Sequence, residues 1–396
     1  MTNSNQKKII KALKNNTMLI ALVAVVLLFE LLIRGADRGS MLAPANISNL
    51  INQNAYVVIL AVGMLLCIIT GGNIDLSVGS TVCLVGAVAG TLIVTLEMNI
   101  YLSIIICLLL GILLGAWQGY WIAYVRIPAF IVTLSGMLLF RGIANIILDG
   151  LTISPFPKEY LRIFTSYLPN TTTQSSKLIF TLIIASILLA IYIFFNLRGY
   201  FTKLKKGYEH SSKLATISKL VAISLVVLIF ASALGEHKGL PVVLIWLTVI
   251  IFVYNYFTSK TVPGRQLYAM GGNEKAAILS GIDTNKLLFG AYTNMGFLSA
   301  IAALVCVARF NSATPSAGNM YELDAIGSCF IGGASAYGGT GTVSGAIIGA
   351  ILMGVLNNGM SILGIDANWQ KAVKGLVLLA AVVFDVMSKK RAANKN

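Results

Sequence analysis

VPGRQLYAMGGNEKAAILSGIDTN, residues 262–285, is the longest polar interruption in the second half of a very hydrophobic sequence. Asn273 is a suitable N-cap, Glu274 places an acid in the first helical turn, and Gly281 is a suitable C′ residue. The residues between them predict one helix of about two turns. Because hydrophobic segments flank it, this helix is either a linker on a membrane surface or a docking helix that another protein binds. Local physics alone favours the linker.

The composition identifies the class of protein. Hydrophobic residues make up 57% of the 396-residue chain and charged residues only 11%, whereas a soluble domain carries about 25% charged residues. A chain that crosses the bilayer forms helices or a closed barrel, and apolar runs of about 20 residues indicate helices. The sequence therefore predicts an all-α, polytopic membrane bundle of about 10–12 transmembrane helices, surrounded by membrane lipid.

The net charge of +15 has the distribution of a membrane protein. Lysine and arginine gather in segments 198–216 and 259–285 and in the C-terminal tail, whereas the charges of loop 149–176 are nearly balanced. Membrane proteins keep their basic loops in the cytoplasm, so both termini are predicted to be cytoplasmic. The sequence contains no RNA- or DNA-binding motif, and no nucleic-acid partner is expected.

The chain divides into a basic N-terminus at 1–16, one transmembrane domain at 17–387 and a basic tail at 388–396. Its first apolar run, Met18 to Ile33, is predicted to be an uncleaved span, because the nearest site that resembles a cleavage site lies too far beyond it. The spans predicted after it are 51–70, 77–96, 101–125, 129–148, 177–197, 217–234, 239–258, 286–308, 322–340, 342–363 and 370–387.

Two glycine-rich places, 71–76 and 322–345, are compatible with re-entrant or broken helices. The glycine pairs at 71–72 and 338–339 are each followed by further glycines at similar spacing. Small residues let helices pack closely in lipid, which is one interpretation. The other is an internal repeat whose interrupted helices line a pathway, since irregular backbone at membrane depth occurs within protein or around a cavity. The polar residues nearby favour the second interpretation.

Those polar residues supply the candidates for a transport pathway. Ionisable groups inside a membrane are functional candidates by default. For Asp75 and Asp324, pathway lining and structural capping both stay open. The candidate pathway residues are Asn73, Asp75, Ser77, Arg141, Glu322 and Asp324.

Motifs for catalysis and for cofactor binding are missing from the sequence. The five cysteines lie in apolar runs without ligand-like spacing, and two histidines are too few for a histidine-built metal site. The sequence contains no G-x-x-x-x-G-K-[ST] phosphate-binding loop and no Ser/His/Asp or Cys/His arrangement. We therefore predict no catalytic residue, no metal and no bound cofactor. If such a chain transports a substrate uphill, a partner must supply the energy, and a docking helix would serve that partner.

Several long motifs resemble the permeases of bacterial ABC importers for monosaccharides. They are GRQLYAMGGNEKAAILSGID, then ARFNSATPSAGNMYELDAIGSCFIGGASAYGGTGTVSGAIIGAILMGVLNNGMSILGI and WQKAVKGLVLLAAVVFD, with AVGMLLCIITGGNIDLSVGS, LLGAWQGYWIAY and IPAFIVTLSGMLLFRG in the first half. The resemblance covers nearly all of residues 45–387. An additional segment at about 155–260 is most similar to the xylose-type permeases and to the related multiple-sugar and galactose-type ones.

The resemblance implies a membrane-spanning subunit in a bacterial cell membrane, used as a homodimer and without an ATPase site of its own. It implies two further partners, a cytoplasmic ATP-binding subunit that hydrolyses ATP and an extracytoplasmic protein that delivers a simple sugar such as xylose or galactose. In such importers a cytoplasmic loop helix couples the permease to the ATPase, which reverses the preference for a linker. That role falls in loop 259–285 on Gly271, Gly272, Asn273, Glu274, Ala276, Ala277, Ser280 and Gly281. The family pattern gives no function for the basic loop at 198–219.

Three other interpretations stay open. A secondary carrier would work with an ion gradient and no ATPase partner. An ABC permease of the same layout could carry a nucleoside, an autoinducer-like furanose or a branched-chain amino acid. A membrane enzyme or scaffold is the third, and it lacks a catalytic cluster.

Overall fold

The computed structural model describes residues 17–207 and 213–393, and within these ranges the chain is almost entirely helical. The predicted N-terminus at 1–16, the middle of the basic loop and the last residues of the tail lie outside the described residues. In chain order the elements are α1 (Thr17–Gly35), α2 (Pro44–Ile69), α3 (Val78–Gly90, continued by a π-helical turn Thr91–Thr95), α4 (Ile100–Ala123), α5 (Ala129–Leu148), α6 (Lys158–Thr165), β1 (Tyr167–Leu168), α7 (Gln174–Lys205), α8 (Lys213–His237), β2 (Leu240–Pro241), α9 (Val242–Lys260), α10 (Val262–Gly272), α11 (Glu274–Leu279), α12 (Thr284–Phe310), α13 (Tyr321–Ile331), α14 (Val343–Ile362) and α15 (Ala367–Ala393).

Ten of the described helices are long and apolar enough to cross a membrane, namely α1–α5, α7–α9, α12 and α14. The prediction of an all-α polytopic membrane bundle of about 10–12 spans is therefore confirmed. Helix α15 also has spanning length, but Lys371, Lys374 and Asp385 lie within its apolar stretch. The antiparallel pair of β1 and β2 joins the loop before α7 to the loop after α8.

The predicted continuous span at 322–340 is wrong. Helix α13 has 11 residues, which gives a length of about 16 Å, roughly half of the hydrocarbon thickness. Irregular backbone follows it at 332–342, where four glycines (Gly333, Gly338, Gly339 and Gly341) have positive φ angles. The expectation of a broken glycine-rich helix in this region is confirmed.

The polar stretch at 262–285 forms two helices rather than the single one predicted. The predicted helix is α11, and α10 precedes it, with Pro263 in its first turn and the side chain of Thr261 accepting a hydrogen bond from the Gly264 amide at 3.1 Å. Proline suits the first turn because its missing N–H has no partner there. Helix α10 is absent from the prediction, which rests on the caps of α11 alone.

The core forms around α2 and α12, which are buried along most of their length. Helix α12 packs very closely against α4, because glycines of the two helices face one another where they cross. A Cβ on Gly111 would lie 2.6 Å from the carbonyl oxygen of Gly296, so a larger residue at that position would separate the two helices.

Helix order and packing repeat in the two halves of the molecule. Helix α12 packs against α4, and the equivalent pair in the other half is α2 against α14. Helix α3 packs against α5, and the equivalent pair is α13 against α15. The two central helices, α2 and α12, run antiparallel. Gly63 of α2 contacts Met295 of α12, and Cys67, one turn further along α2, contacts Ala291, which lies one turn before Met295. The halves therefore form an inverted repeat. In this repeat the gap after α2 (70–77) corresponds to the gap after α12 (311–320). The predicted correspondence between the glycine pairs at 71–72 and 338–339 is therefore wrong, because 338–339 follows α13.

Candidate functional site

The gap at 70–77 is an irregular segment whose polar groups are paired with one another. Asp75 accepts hydrogen bonds from the Ser77 amide at 2.8 Å and from the Ser77 hydroxyl at 2.7 Å. The Ser77 hydroxyl in turn accepts one from Gln118 Nε2 at 2.6 Å. Asp75 and Ser77 are buried, so this chain of bonds holds the backbone just before α3 in place within the protein. Asp75 and Ser77 are predicted site residues, whereas no local pattern points to Gln118, which lies 41 positions from Ser77.

The gap at 311–320 lies along α3. Cys83 donates to the carbonyl oxygen of Pro315 at 3.5 Å, and a Cβ on Gly79 would overlap the carbonyl oxygen of Gly318. Arg141 Nη1 donates to two carbonyl oxygens of this segment, those of Pro315 at 3.1 Å and Ala317 at 2.5 Å. The guanidinium of Arg141 thus satisfies backbone groups that helical bonding leaves free.

The two gaps meet near Glu322. A Cβ on Gly79, in the first turn of α3, would lie 2.7 Å from the Glu322 carboxylate, in addition to overlapping Gly318. Of the predicted pathway residues, Arg141 and Glu322 therefore lie beside the second gap. Asp75 and Ser77 lie in the first, which runs directly into Gly79.

Asp324 lies in a separate buried network. Its carboxylate accepts a hydrogen bond from Tyr56 at 2.9 Å and forms an ion pair with Lys374 at 2.9 Å, and only 1% of its side chain is exposed. The Tyr56 ring also stacks on Tyr321 with ring centroids 3.8 Å apart. Asp324 thus joins α13 to α2 and α15, and a buried charge in a membrane protein needs such a partner. No local pattern points to Lys374 as the partner, because Lys374 lies 50 positions further along.

Helix α11 has the caps that the sequence predicts. The side chain of Asn273 accepts a hydrogen bond from the Ala276 amide at 3.0 Å, and Gly281 has a φ angle of +79°, as a C′ glycine does. Ala277 faces the protein and is buried. Ile278 and Leu279 point away from it, and Leu279, at 88% exposed, has the highest exposure of any large apolar side chain among the described residues.

The other predicted coupling residues divide between the surface and the interior. Gly272, Asn273, Ala276, Ser280 and Gly281 are exposed, and Glu274 is half-buried. Gly271 packs inward against the end of α2. Ile278 and Leu279 are absent from the predicted coupling residues, although two apolar residues in a polar loop indicate a contact surface.

Arg126 holds the loop in place at both ends. It lies in the turn between α4 and α5, and its guanidinium contacts Glu274 at 2.7 Å, Thr284 at 3.2 Å and Asn285 at 2.5 Å. Next to these residues, Asp283 caps the start of α12. The Lys286 amide donates to the Asp283 carboxylate, and this bond, with the nearby Lys286 ammonium, lowers the pKa of Asp283.

A cavity of about 350 Å³ lies between loop 259–285, which we name the coupling loop, and the rest of the bundle. Asn73 and Glu274 line it, together with Arg126 and the glycines at 71 and 271–272. The predicted pathway residue Asn73 therefore lies at the coupling loop rather than with Asp324. Within the ranges that the structure describes, no group of three or more His, Cys, Asp or Glu side chains could hold a metal ion, and the five cysteines are buried and unpaired.

Comparisons with known proteins agree with this architecture. Residues 46–382 match the family model described as "Branched-chain amino acid transport system / permease component". The Escherichia coli K12 "Xylose transport system permease protein XylH" is 39% identical over 374 residues, which cover 94% of this chain and 92% of that protein. The Haemophilus influenzae protein of the same description is 37% identical, covering 94% and 96%.

A second group of relatives is slightly more distant. The Escherichia coli K12 "Ribose import permease protein RbsC" is 33% identical over 341 residues, which cover 86% of this chain and 85% of that protein. No solved structure matches the chain. The resemblance to monosaccharide permeases that the motifs predict is confirmed, and the chain belongs to the family of branched-chain amino acid transport system permease components.

Proposed function

We propose that this chain is the membrane-spanning permease subunit of an ABC importer for a simple sugar, with xylose as the first candidate. The observation that carries the proposal is α11, a capped helix that holds Ile278 and Leu279 out from the protein in a loop between two spans. This pair lies outside the spans in a polar loop, where it offers a partner protein an apolar contact with a polar rim. The relatives named as xylose and ribose permeases support the sugar.

The coupling surface consists of the exposed part of α11. Ile278 and Leu279 supply its apolar contacts, and Asn273, Ala276 and Ser280 supply its rim. ATP is hydrolysed by the partner subunit, so the permease carries no nucleotide site. ATP can shift the permease between outward- and inward-facing states only when the partner contacts α11 differently in the two states.

The loop is assigned to the cytoplasm, together with both termini. Counting the spans along the chain places the end of α7, with Lys203 and Lys205, and the end of α9, with Lys260, on the same side of the membrane as this loop. The opposite end carries β1, β2 and the start of α2, because Tyr167 contacts Asn52 at 3.0 Å. The sugar-binding protein delivers its cargo to that end.

The sugar passes the two gaps, 70–77 and 311–320. Irregular backbone leaves N–H and C=O groups outside helical bonding, and a segment that moves can exchange their present partners for sugar hydroxyls. Asn73, Arg141 and Glu322 are the pathway residues that we retain, because each lies in or beside a gap. Asp75, Ser77 and Asp324 are buried in closed networks, and we assign them to structural capping.

Two copies of the permease form the transport unit, and its pathway accepts related sugars. Selection of xylose, ribose or galactose then belongs to the extracytoplasmic binding protein. A secondary carrier with the same fold would need no exposed docking helix. The capped helix therefore favours the ABC importer.

The test is co-purification of the tagged permease with its ATP-binding subunit. Leu279→Asp places a charge in the proposed interface, so we expect at least about a tenfold loss of bound subunit. Leu151→Asp is the matched control, because Leu151 is 67% exposed and lies at the opposite end of α5 from Arg126. Equal co-purification by both variants would overturn the coupling surface. Sugar uptake by a lone permease down an ion gradient would overturn the importer itself.

A further inference from the structure

Three glycine pairs from distant parts of the chain meet at one point, which we name the glycine junction. They are 71–72 at the end of α2, 271–272 at the end of α10 and 338–339 in the gap after α13. The Gly339 amide donates a hydrogen bond to the carbonyl oxygen of Ile69 at 3.0 Å. The coupling loop thus touches the ends of two membrane-embedded elements at once.

The contacts of the junction are between backbones. A Cβ on Gly271 would overlap the carbonyl oxygen of Ile69 and lie 2.6 Å from the Gly339 amide nitrogen. A Cβ on Gly339 would lie 2.8 Å from the Gly272 amide nitrogen. Glycine is needed at these positions because the chains approach more closely than any side chain permits.

A side chain makes a second link in the same direction. The Tyr268 hydroxyl, on α10, donates to the carbonyl oxygen of Gly341 at 2.9 Å. Burial raises the pKa of Tyr268, so the phenol keeps its proton and stays a donor. Helix α10 therefore contacts the gap after α13 at two points, Gly339 and Gly341.

We propose that the glycine junction is the relay that transmits movement of α11 to the interrupted segments, a role that rests on the proposed function. Side chains between two elements can change rotamer and absorb a small displacement, whereas touching backbones cannot. A displacement of α11 acts through α10 on Gly271, and Gly271 contacts both Ile69 and Gly339. The end of α2 and the gap after α13 then have to move together. Gly271 is thus a positioning residue and not part of the docking surface.

The experiment compares the same substitution, glycine to alanine, at two positions. Gly271→Ala adds a methyl group inside the junction, and Gly290→Ala adds one on α12 where no atom lies within 4 Å. The φ angle of Gly271 lies outside the left-handed region, so alanine suits the local backbone and the effect comes from the contact. Both variants are reconstituted in liposomes with the ATP-binding subunit and the xylose-loaded binding protein.

We expect Gly271→Ala to retain the bound ATP-binding subunit and its basal ATPase rate, and to lose xylose uptake by about tenfold or more. Gly290→Ala should match the wild type in all three measurements. Normal uptake by Gly271→Ala would overturn the relay, as would loss of the ATP-binding subunit from a folded Gly271→Ala variant, because that loss would place Gly271 in docking.

Tyr268→Phe keeps the proposal testable when Gly271→Ala fails to fold. It removes one hydroxyl from the second link and adds no atom, so we expect lower xylose uptake with the subunit still bound. Unchanged uptake by Tyr268→Phe in that case would overturn the relay. A wild-type permease that binds no ATP-binding subunit would instead overturn the proposed function.

Discussion

At the scale of single residues, the ion pair between Asp324 and Lys374 makes the sharpest prediction. Replacing Lys374 by methionine leaves the Asp324 carboxylate buried without a cation, which costs about 3 kcal/mol. We expect Lys374→Met to lower the melting temperature of the detergent-purified protein. Adding Asp324→Asn should recover part of the loss.

Lys371 is the control for this change. It lies one turn before Lys374 on α15 and is exposed, so Lys371→Met should melt as the wild type does. A melting temperature of Lys374→Met equal to that of Lys371→Met would show that the ion pair does not stabilise the fold.

The caps of α11 and the partners of Asp324 show what the sequence can and cannot predict. The prediction of Asn273 and Gly281 as caps is confirmed, because a cap acts on its own helix, within a few positions of itself. The partners of Asp324 were not found, because Tyr56 lies 268 positions away and only the packing of α2 against α13 joins them. Gln118 was missed for the same reason.

At the scale of elements, span prediction succeeds where hydrophobic length is the whole signal. The runs that became α4, α5 and α9 are continuous and apolar, and their predicted bounds agree with the structure within a few residues. The run at 322–340 is less apolar and rich in glycine, and α13 ends at Ile331. Gly338 and Gly339 adopt positive φ angles after it, against the backbone of Gly71 and of Gly272, and these contacts join distant parts of the chain.

The contact between the turn after α4 and helix α11 gives a prediction at this scale. Arg126 and Glu274 are each more than 40% exposed, at 43% and 41%, so their ion pair adds little stability. It sets the position of α11 instead. We expect Arg126→Glu or Glu274→Arg alone to lower the ATPase stimulation by sugar-loaded binding protein about fivefold.

Combining the two substitutions tests whether the pair itself matters. The reversed ion pair can form again, whereas the bonds from Arg126 to Thr284 and Asn285 cannot, so recovery of the stimulation should be partial. A double variant no better than the worse single variant would show that α11 is held by other contacts. Co-purification of the ATP-binding subunit is measured on every variant, so that loss of docking is distinguished from loss of coupling.

At the scale of the whole molecule, the chain has two chemically distinct ends. One carries the coupling loop and the glycine junction, and the other carries β1, β2 and the start of α2. All five native cysteines are buried, so a cysteine introduced at the surface reports its side of the membrane against a low background. Asn170 and Lys275 are exposed residues at the two opposite ends.

The orientation that we propose makes a prediction for these two positions. In intact cells, a membrane-impermeant maleimide should label Asn170→Cys and leave Lys275→Cys unlabelled, because the coupling loop faces the cytoplasm and the β1 end faces outward. After the membrane is opened, Lys275→Cys should react as well. The wild type, with its buried cysteines, is the control in both conditions. Labelling of Lys275→Cys in intact cells would reverse the orientation, and a cytoplasmic ATP-binding subunit could then not reach α11.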